Sequence, residues 1–226
     1  MADPRRGVAE VAREVLAGAR PGEEVEAYVA RRRETDVKVF AGDVESVSSA
    51  EVDGVGIRVI VDGRQGYAWA GSLDADIVAD TLVEARDNAA FSTRDEHAGL
   101  ATREDAAGTV AALDLWRDAA LAVGAADKVA LALELERATL AADPRIRGVE
   151  SSRYGDAFVE AAIATSTGIE ALARRTVCSA AVFALAGEGE DTQTGYGYSV
   201  GRELADLDVV HAAREATERA TRLLGA

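Results

Sequence analysis

The residues able to ligate a metal, attack a carbonyl or move a proton in this 226-residue chain are few outside its carboxylates: His97, His211 and Cys178. No two of these three lie at the close spacing that sets two zinc ligands on one helical turn. Carboxylates could complete a site, yet no spacing demands one. His97, in "DEHAGL", reads as an exposed loop residue, and His211 as a surface or partly buried residue of the last helix. A Cys178–His211 nucleophile would need the thiol within hydrogen-bond reach of the imidazole, and the alternation of "VCSAAVF" instead reads as a buried strand thiol. Glu188 and Glu190, in "GEGED", read as a solvated hairpin tip, because general acid work needs a desolvated or coupled carboxyl. "DGVGIRV" and "GEGEDTQTGYG" lack the Lys-Ser/Thr ending of a phosphate loop, and "GVG" lacks the third glycine of a dinucleotide fingerprint. No residue is assigned as catalytic or metal-binding, and no cofactor is assigned to this chain.

A second kind of signal is repeated. "GYAWAGS" at 66–72 returns as "GYGYSVG" at 195–201. In each phrase the aromatics stand two apart, so Tyr67 with Trp69, and Tyr196 with Tyr198, share one face of a strand. Such a face either packs into the core or meets a partner or peptide. These four are the candidate interface residues.

The elements that must position them follow from periodicity. Val8, Val11, Ala12, Val15 and Leu16 recur at helical spacing, which predicts a helix from about Val8 to Ala19, ended by Pro21-Gly22. Val25, Ala27 and Val29 then alternate with polar residues, as a half-buried strand requires. A second strand is expected through Val37 and Val39, with Arg31-Arg32-Arg33 as a solvated strand end between the two. A third strand, "GIRVIVDG", turns at Asp62-Gly63 into the first Gly-Tyr strand. Ser72 or Asp74 can cap the following helix, with Ile77, Val78, Leu82, Ala85 and Ala89 on one stripe. After a connector with a short helix near Leu113–Val123, Asp127 offers a cap to a helix striped with Val129, Leu131, Leu135 and Ala138 and stopped before Pro144. Extended segments, the second Gly-Tyr strand and a last helix with Val209, Val210, Ala213, Ala216, Ala220 and Leu223 complete the chain.

Both halves thus read helix, strands, Gly-Tyr strand, helix. The expectation is an α+β fold of two related helix–antiparallel-strands–helix units, one over about 5–92 and one over about 126–225, joined by a connector at 93–125.

Composition limits the partners. Asp and Glu number 40 against 25 Lys and Arg, a formal charge of −15 that repels phosphate backbones and anionic lipid. Direct nucleic-acid contact and membrane association are therefore not expected. One cysteine excludes an internal disulfide and, with no apolar leader or 18-residue apolar run, points to the cytoplasm.

Taken together, "EVEAYVARRRETDVKVFAGDVESVSSAEVDGVGIRVIVDGRQGYAWAGSLDADIVADTLVEARDNA", then "GLA" at 99–101, "DKVALALELERATLAADPRI" and "STGIEALARRT" resemble the TldD/PmbA (TldD/TldE) family of zinc metallopeptidases. The resemblance covers essentially the whole chain but only the family's amino-terminal domain. The Asp95-Glu96 loop before Gly99-Leu100-Ala101 is closer to the PmbA (TldE) branch. The resemblance implies that the zinc-binding His-Glu-x-x-x-His helix and a later cysteine ligand belong to TldD members, beyond the matched region. It carries no catalytic residue onto any position here, and Glu96-His97 does not form the motif. It further implies a TldD-like partner in a heterodimer, or a homodimer, peptide as the substrate of that assembly, zinc in the TldD-type subunit, and a carboxy-terminal domain absent from this sequence. The family's description as a modulator of DNA gyrase suggests DNA, which the net charge opposes. A stand-alone peptide- or protein-binding module is the alternative.

Overall fold

In the computed structural model, residues 6–106, 111–222 and 224–225 are described. The elements are α1 (Val8–Ala17), β1 (Glu24–Phe40), β2 (Asp43–Val61), β3 (Arg64–Ala70), α2 (Ala75–Phe91), α3 (Asp118–Leu121), α4 (Ala125–Ala142), β4 (Ile146–Thr165), β5 (Glu170–Ala186), β6 (Gln193–Gly201) and α5 (Val209–Thr221). The strands form one six-stranded sheet in the order β3-β2-β1-β4-β5-β6, and the class is α+β. The chain divides into two compact units: Met1–Arg32, Glu51–Asp114 and Val159–Arg174 in one, Arg33–Ala50, Leu115–Phe158 and Arg175–Ala226 in the other.

The first unit is a valine core. Val8, Val11, Ala12 and Val15 of α1 bury with Val25, Ala27 and Val29 of β1, Val55, Ile57 and Val59 of β2, and Val78, Leu82 and Ala85 of α2. Each Val, Leu or Ile among them contributes about 1.5–3 kcal/mol by leaving water, and alternation along the strands sends the strand residues to one face. Asp62 and Gly63 both take positive φ, 49° and 71°, so β2 returns at once as β3 with Val61 opposite Arg64. At Gly66 the strand meets α2 closely: a Cβ there would run into the Ala85 carbonyl oxygen and the Ala89 nitrogen.

The second unit repeats this device with smaller residues. Val37, Val39, Tyr154, Cys178, Ala180, Val182 and Ala184 bury with Leu131, Ala132 and Leu135 of α4 and Ala212, Ala213, Ala216 and Ala220 of α5. Gly195 and Gly197 of β6 lie against the backbone of α5 as Gly66 lies against α2. A core this rich in alanine lets backbones approach, and glycine takes the nearest points.

Several expectations change. Val37 and Val39 belong to the same strand as Val25–Val29, because the turn comes only at Ala41-Gly42, both at positive φ. The arginine run is therefore mid-strand, and Arg31 is largely buried in an ion pair with Asp53 at 2.7 Å. The first helix ends at Ala17, where the Gly18 N–H donates to the Val15 carbonyl and the Ala19 N–H to that of Leu16. The helix near Leu113–Val123 shrinks to Asp118–Leu121; Trp116 precedes it, because the Leu115 carbonyl is held by the Thr176 N–H at 2.9 Å. Ile77 and Val210 face outward, and their stripes run instead through Thr81 and through Ala212 and Thr217. Gly124, not Asp127, precedes the first turn of α4. Leu223 lies outside the described residues, as do residues 107–110 of the connector.

Candidate functional site

Both histidines are exposed, whereas the thiol is buried. His97 is in an exposed loop beside Glu96, and His211 is exposed on the first turn of α5, where its N–H is capped by Asp208 at 2.8 Å. Cys178 is buried within the second unit's core. Burial, with the Asp206 and Asp156 carboxylates adding to it, pushes its thiol from 9.0 up to about 11. The thiol therefore stays protonated near neutral pH, which disables it as nucleophile or ligand. A thiol reagent at pH 8 is expected to leave the native protein unlabelled and to label it fully in denaturant; labelling of the native protein at the unfolded rate refutes the burial. The raised value also has a sign for stability. The contribution is fully present below about pH 9 and is lost as pH rises towards about 11, because the unfolded thiol ionises first. Among the described residues, no group of three His, Cys, Asp or Glu is placed to hold a metal ion. Glu188 is exposed and pairs with Arg147 at 3.3 Å.

The aromatic candidates all lie outward. Since Gly66 and Ala68 face α2, and Gly195 and Gly197 face α5, the residues between them must take the opposite face. Tyr67 is 55% exposed, Trp69 70%, Tyr196 38% and Tyr198 47%, so core packing fails for all four. In the second unit they form a built surface. Phe183 lies opposite Tyr196 in the ladder with ring centroids 4.7 Å apart, and Tyr196 stacks on Tyr198 at 5.6 Å. Offset aromatic contacts of this kind hold the rings rigid and present them at low entropic cost on binding. Phe183 was not among the sequence candidates; its parity, opposite to Val182 and Ala184, is the signal that finds it.

The same strands are sheet edges, and helix side chains take backbone groups at the middle of each. Asn88 of α2 donates to the Tyr67 carbonyl at 3.0 Å. On β6, Arg219 of α5 donates to the Tyr196 carbonyl at 2.6 Å, and the Tyr198 N–H donates to Glu215 at 3.3 Å. Arg219 and Glu215 are themselves paired at 2.6 Å. The close glycine contacts bring each helix near enough for its side chains to reach round the edge. Edges covered in this way resist strand addition, so the aromatic face, and not the β3 or β6 edge, is the surface these strands offer.

A buried polar cluster lies within the second unit. Lys128 Nζ of α4 lies 2.5 Å from Asp156 Oδ2 and donates to Thr35 Oγ1 at 3.1 Å, while the Tyr154 hydroxyl donates to the same Asp156 oxygen at 2.9 Å. Asp156 Oδ1 is buried without a hydrogen-bond partner. Burial, reinforced by the Asp156 charge, holds the Tyr154 hydroxyl protonated well above its ordinary range. These groups went unseen in the sequence, although Lys128 sits three residues before Leu131 on the stripe, where an apolar side chain is expected. A cavity of about 400 Å³ beside them is lined by Glu34, Asp36, Ser48, Ala50, Gly155, Asp156 and Ser179 among others.

Residues 25–91 match the family model of the PmbA/TldA metallopeptidase domain 1, and residues 118–224 that of the PmbA/TldA metallopeptidase central domain. The chain is similar to metalloprotease PmbA of Escherichia coli O157:H7, 30% identical over 194 residues that make up 86% of this chain and 42% of that protein. A candidate modulator of a DNA gyrase from Thermotoga maritima has a similar fold, with a TM-score of 0.82 at 20% identity over 96% of this chain and 48% of its own. TldE from Thermococcus kodakarensis gives 0.78 at 18% identity, over 88% and 44%. The chain spans less than half the length of each of these relatives.

Proposed function

We propose a function on a plain premise: this chain belongs to the TldD/PmbA family and spans its amino-terminal region. It serves assembly and enclosure around a peptide-processing zinc protease, as a PmbA (TldE)-like subunit whose own residues hold no catalytic centre. The described residues do not fit the family's zinc: the thiol is buried and protonated, and both imidazoles are exposed on separate elements. Zinc and hydrolysis are then the work of a TldD-type subunit, paired with this one as a heterodimer, or of a homodimer's other domain, and a wall that admits only extended chains keeps folded proteins from it.

The observation that carries this reading is the rigid, exposed aromatic surface of Phe183, Tyr196 and Tyr198, of the composition that fills protein interfaces and their hot spots. The formal charge of −15 supports a protein or peptide partner over nucleic acid. No described helix is long and apolar enough to cross a membrane, and a cytoplasmic setting for the assembly rests on the single unpaired cysteine. The test is co-purification and sedimentation with a TldD-like subunit from the same cells. The double variant Tyr196→Ser/Tyr198→Ser is expected to weaken assembly by at least about tenfold, with an unchanged circular dichroism spectrum. Undiminished assembly by the folded variant moves the interface elsewhere. The alternative, a peptide-binding module, draws on a separate feature of β2.

A further inference from the structure

We infer that the outer edge of β2 over Asp43–Ala50 takes an extended basic peptide as an added strand, with a Lys or Arg of that peptide reaching the carboxylates of Glu34 and Asp36. The inference goes beyond the assembly reading and stands without it.

The argument starts from the difference among the sheet's edges. Those of β3 and β6 are crossed at their middle by Asn88, Arg219 and Glu215. β2 is flanked by β1 on one side and β3 on the other, but β3 reaches only to Val55. Residues 43–50 therefore have no strand on their outer side among the described residues, and every one of them is exposed. An open edge of this length is a template for another strand, and natural sheets rarely leave one without cover. Its sequence, "DVESVSSA", holds no proline and no glycine, so every residue of it keeps a backbone N–H and a strand conformation.

The edge is also held in place. The adjoining Ala41-Gly42 turn is tied to α4 by the Gly42 N–H, which donates to Glu136 Oε2 at 2.8 Å, and Glu136 is itself only 1% exposed. Holding the hairpin tip in this way lowers the ordering cost of binding a strand to it.

Charge selects the occupant. Asp43 and Glu45 are the charged residues of the stretch, Glu45 being paired with Lys38 of β1 at 2.7 Å, and the adjoining cavity brings Glu34 and Asp36 together with Ser48, Ala50 and Ser179. Gly155 leaves room there: a Cβ at that position would stand 3.9 Å from Asp36 Oδ2 and 3.6 Å from Ser179 Oγ. The Asp156 side chain is no part of this surface, since alternation turns it to the other face, where it pairs with Lys128 of α4. An added strand places alternate side chains over this acidic surface, so a cationic side chain is favoured and an acidic one repelled. A second copy of the chain would bring another formal charge of −15 to the same edge.

The experiment uses the chain alone, so that its result is independent of any TldD-like subunit. A labelled peptide alternating Lys and Val is titrated by fluorescence polarisation against its Glu-Val counterpart. The basic peptide is expected to bind at least about tenfold more tightly, with affinity falling as salt is raised. N-methylating alternate residues of the basic peptide in the two possible phases is expected to abolish binding in one phase and spare it in the other, because only one set of N–H groups faces the edge. The variant Glu34→Gln/Asp36→Asn is expected to lose most of the preference for the basic peptide while still binding the strand. Equal binding of the two peptides, or equal loss in both methylation phases, overturns the inference. So does self-association of the chain that Val47→Lys abolishes, since a second copy would then be the occupant.

Discussion

Gly195→Ala is expected to destabilise the chain by roughly 3–5 kcal/mol, or to prevent its accumulation in folded form. The added Cβ would fall on the Ala216 carbonyl oxygen and the Ala220 nitrogen, with the Ala220 Cβ 3.0 Å away. Two of these are backbone atoms of a hydrogen-bonded helix, and they cannot rotate aside as the end of a long side chain can. α5 would have to lift from β6, opening gaps around Ala212, Ala216 and Ala220 and breaking the Arg219 bond to the Tyr196 carbonyl. Gly71→Ala is the control: nothing lies within 4 Å of its Cβ position and its φ is not positive, so a change within about 0.5 kcal/mol is expected. Urea unfolding followed by circular dichroism decides between them. A Gly195→Ala protein as stable as Gly71→Ala would mean that α5 and β6 do not approach as described.

That glycine bears on how much of the molecule was legible beforehand. The recurrence of Gly-Tyr before a helix was visible in the sequence and did mark corresponding places, since Gly66 and Gly195 each meet the backbone of the helix that follows. The α+β class and the order of strands and helices were likewise readable, because valines at period two and alanines at helical spacing leave little choice. The break between β1 and the supposed strand through Val37 was misread because three successive arginines look like a solvated end. In the structure an ion pair to Asp53 carries Arg31 through the sheet. No local pattern could show this, since the partner is 22 residues away. The aromatic candidates were legible as a shared strand face, but their exposure depended on which face the glycines take, a tertiary fact. The covered edges of β3 and β6 were wholly hidden, being made by side chains of the following helices. The open edge of β2 was hidden as well, because it depends on where β3 stops.

Lys128 was the least legible residue of all, and its removal provides the second large effect. Lys128→Met is expected to cost roughly 3–5 kcal/mol, because it strands the Asp156 charge in a site where that side chain is 2% exposed. The Tyr154 hydroxyl would remain as its donor, and one hydrogen bond does not replace an ammonium for a carboxylate whose other oxygen already lacks a partner. Asp156→Leu alone should cost a similar amount by leaving the ammonium with Thr35 and the faces of Tyr154 and Phe158, 5.9 and 6.0 Å away. The double variant should recover most of the loss, since two apolar side chains of similar size need no partner, and the coupling between the two changes then measures the pair. Tyr154→Phe should cost only about 1–2 kcal/mol, the price of one charge-assisted donor. Urea midpoints of the four proteins test this. Additive losses, with the double variant as damaged as the sum of the singles, would show that Lys128 and Asp156 stabilise the second unit separately. A recovered double variant would show that the charges hold each other, and that this unit tolerates a buried ion pair where a greasy contact would serve its stability equally well.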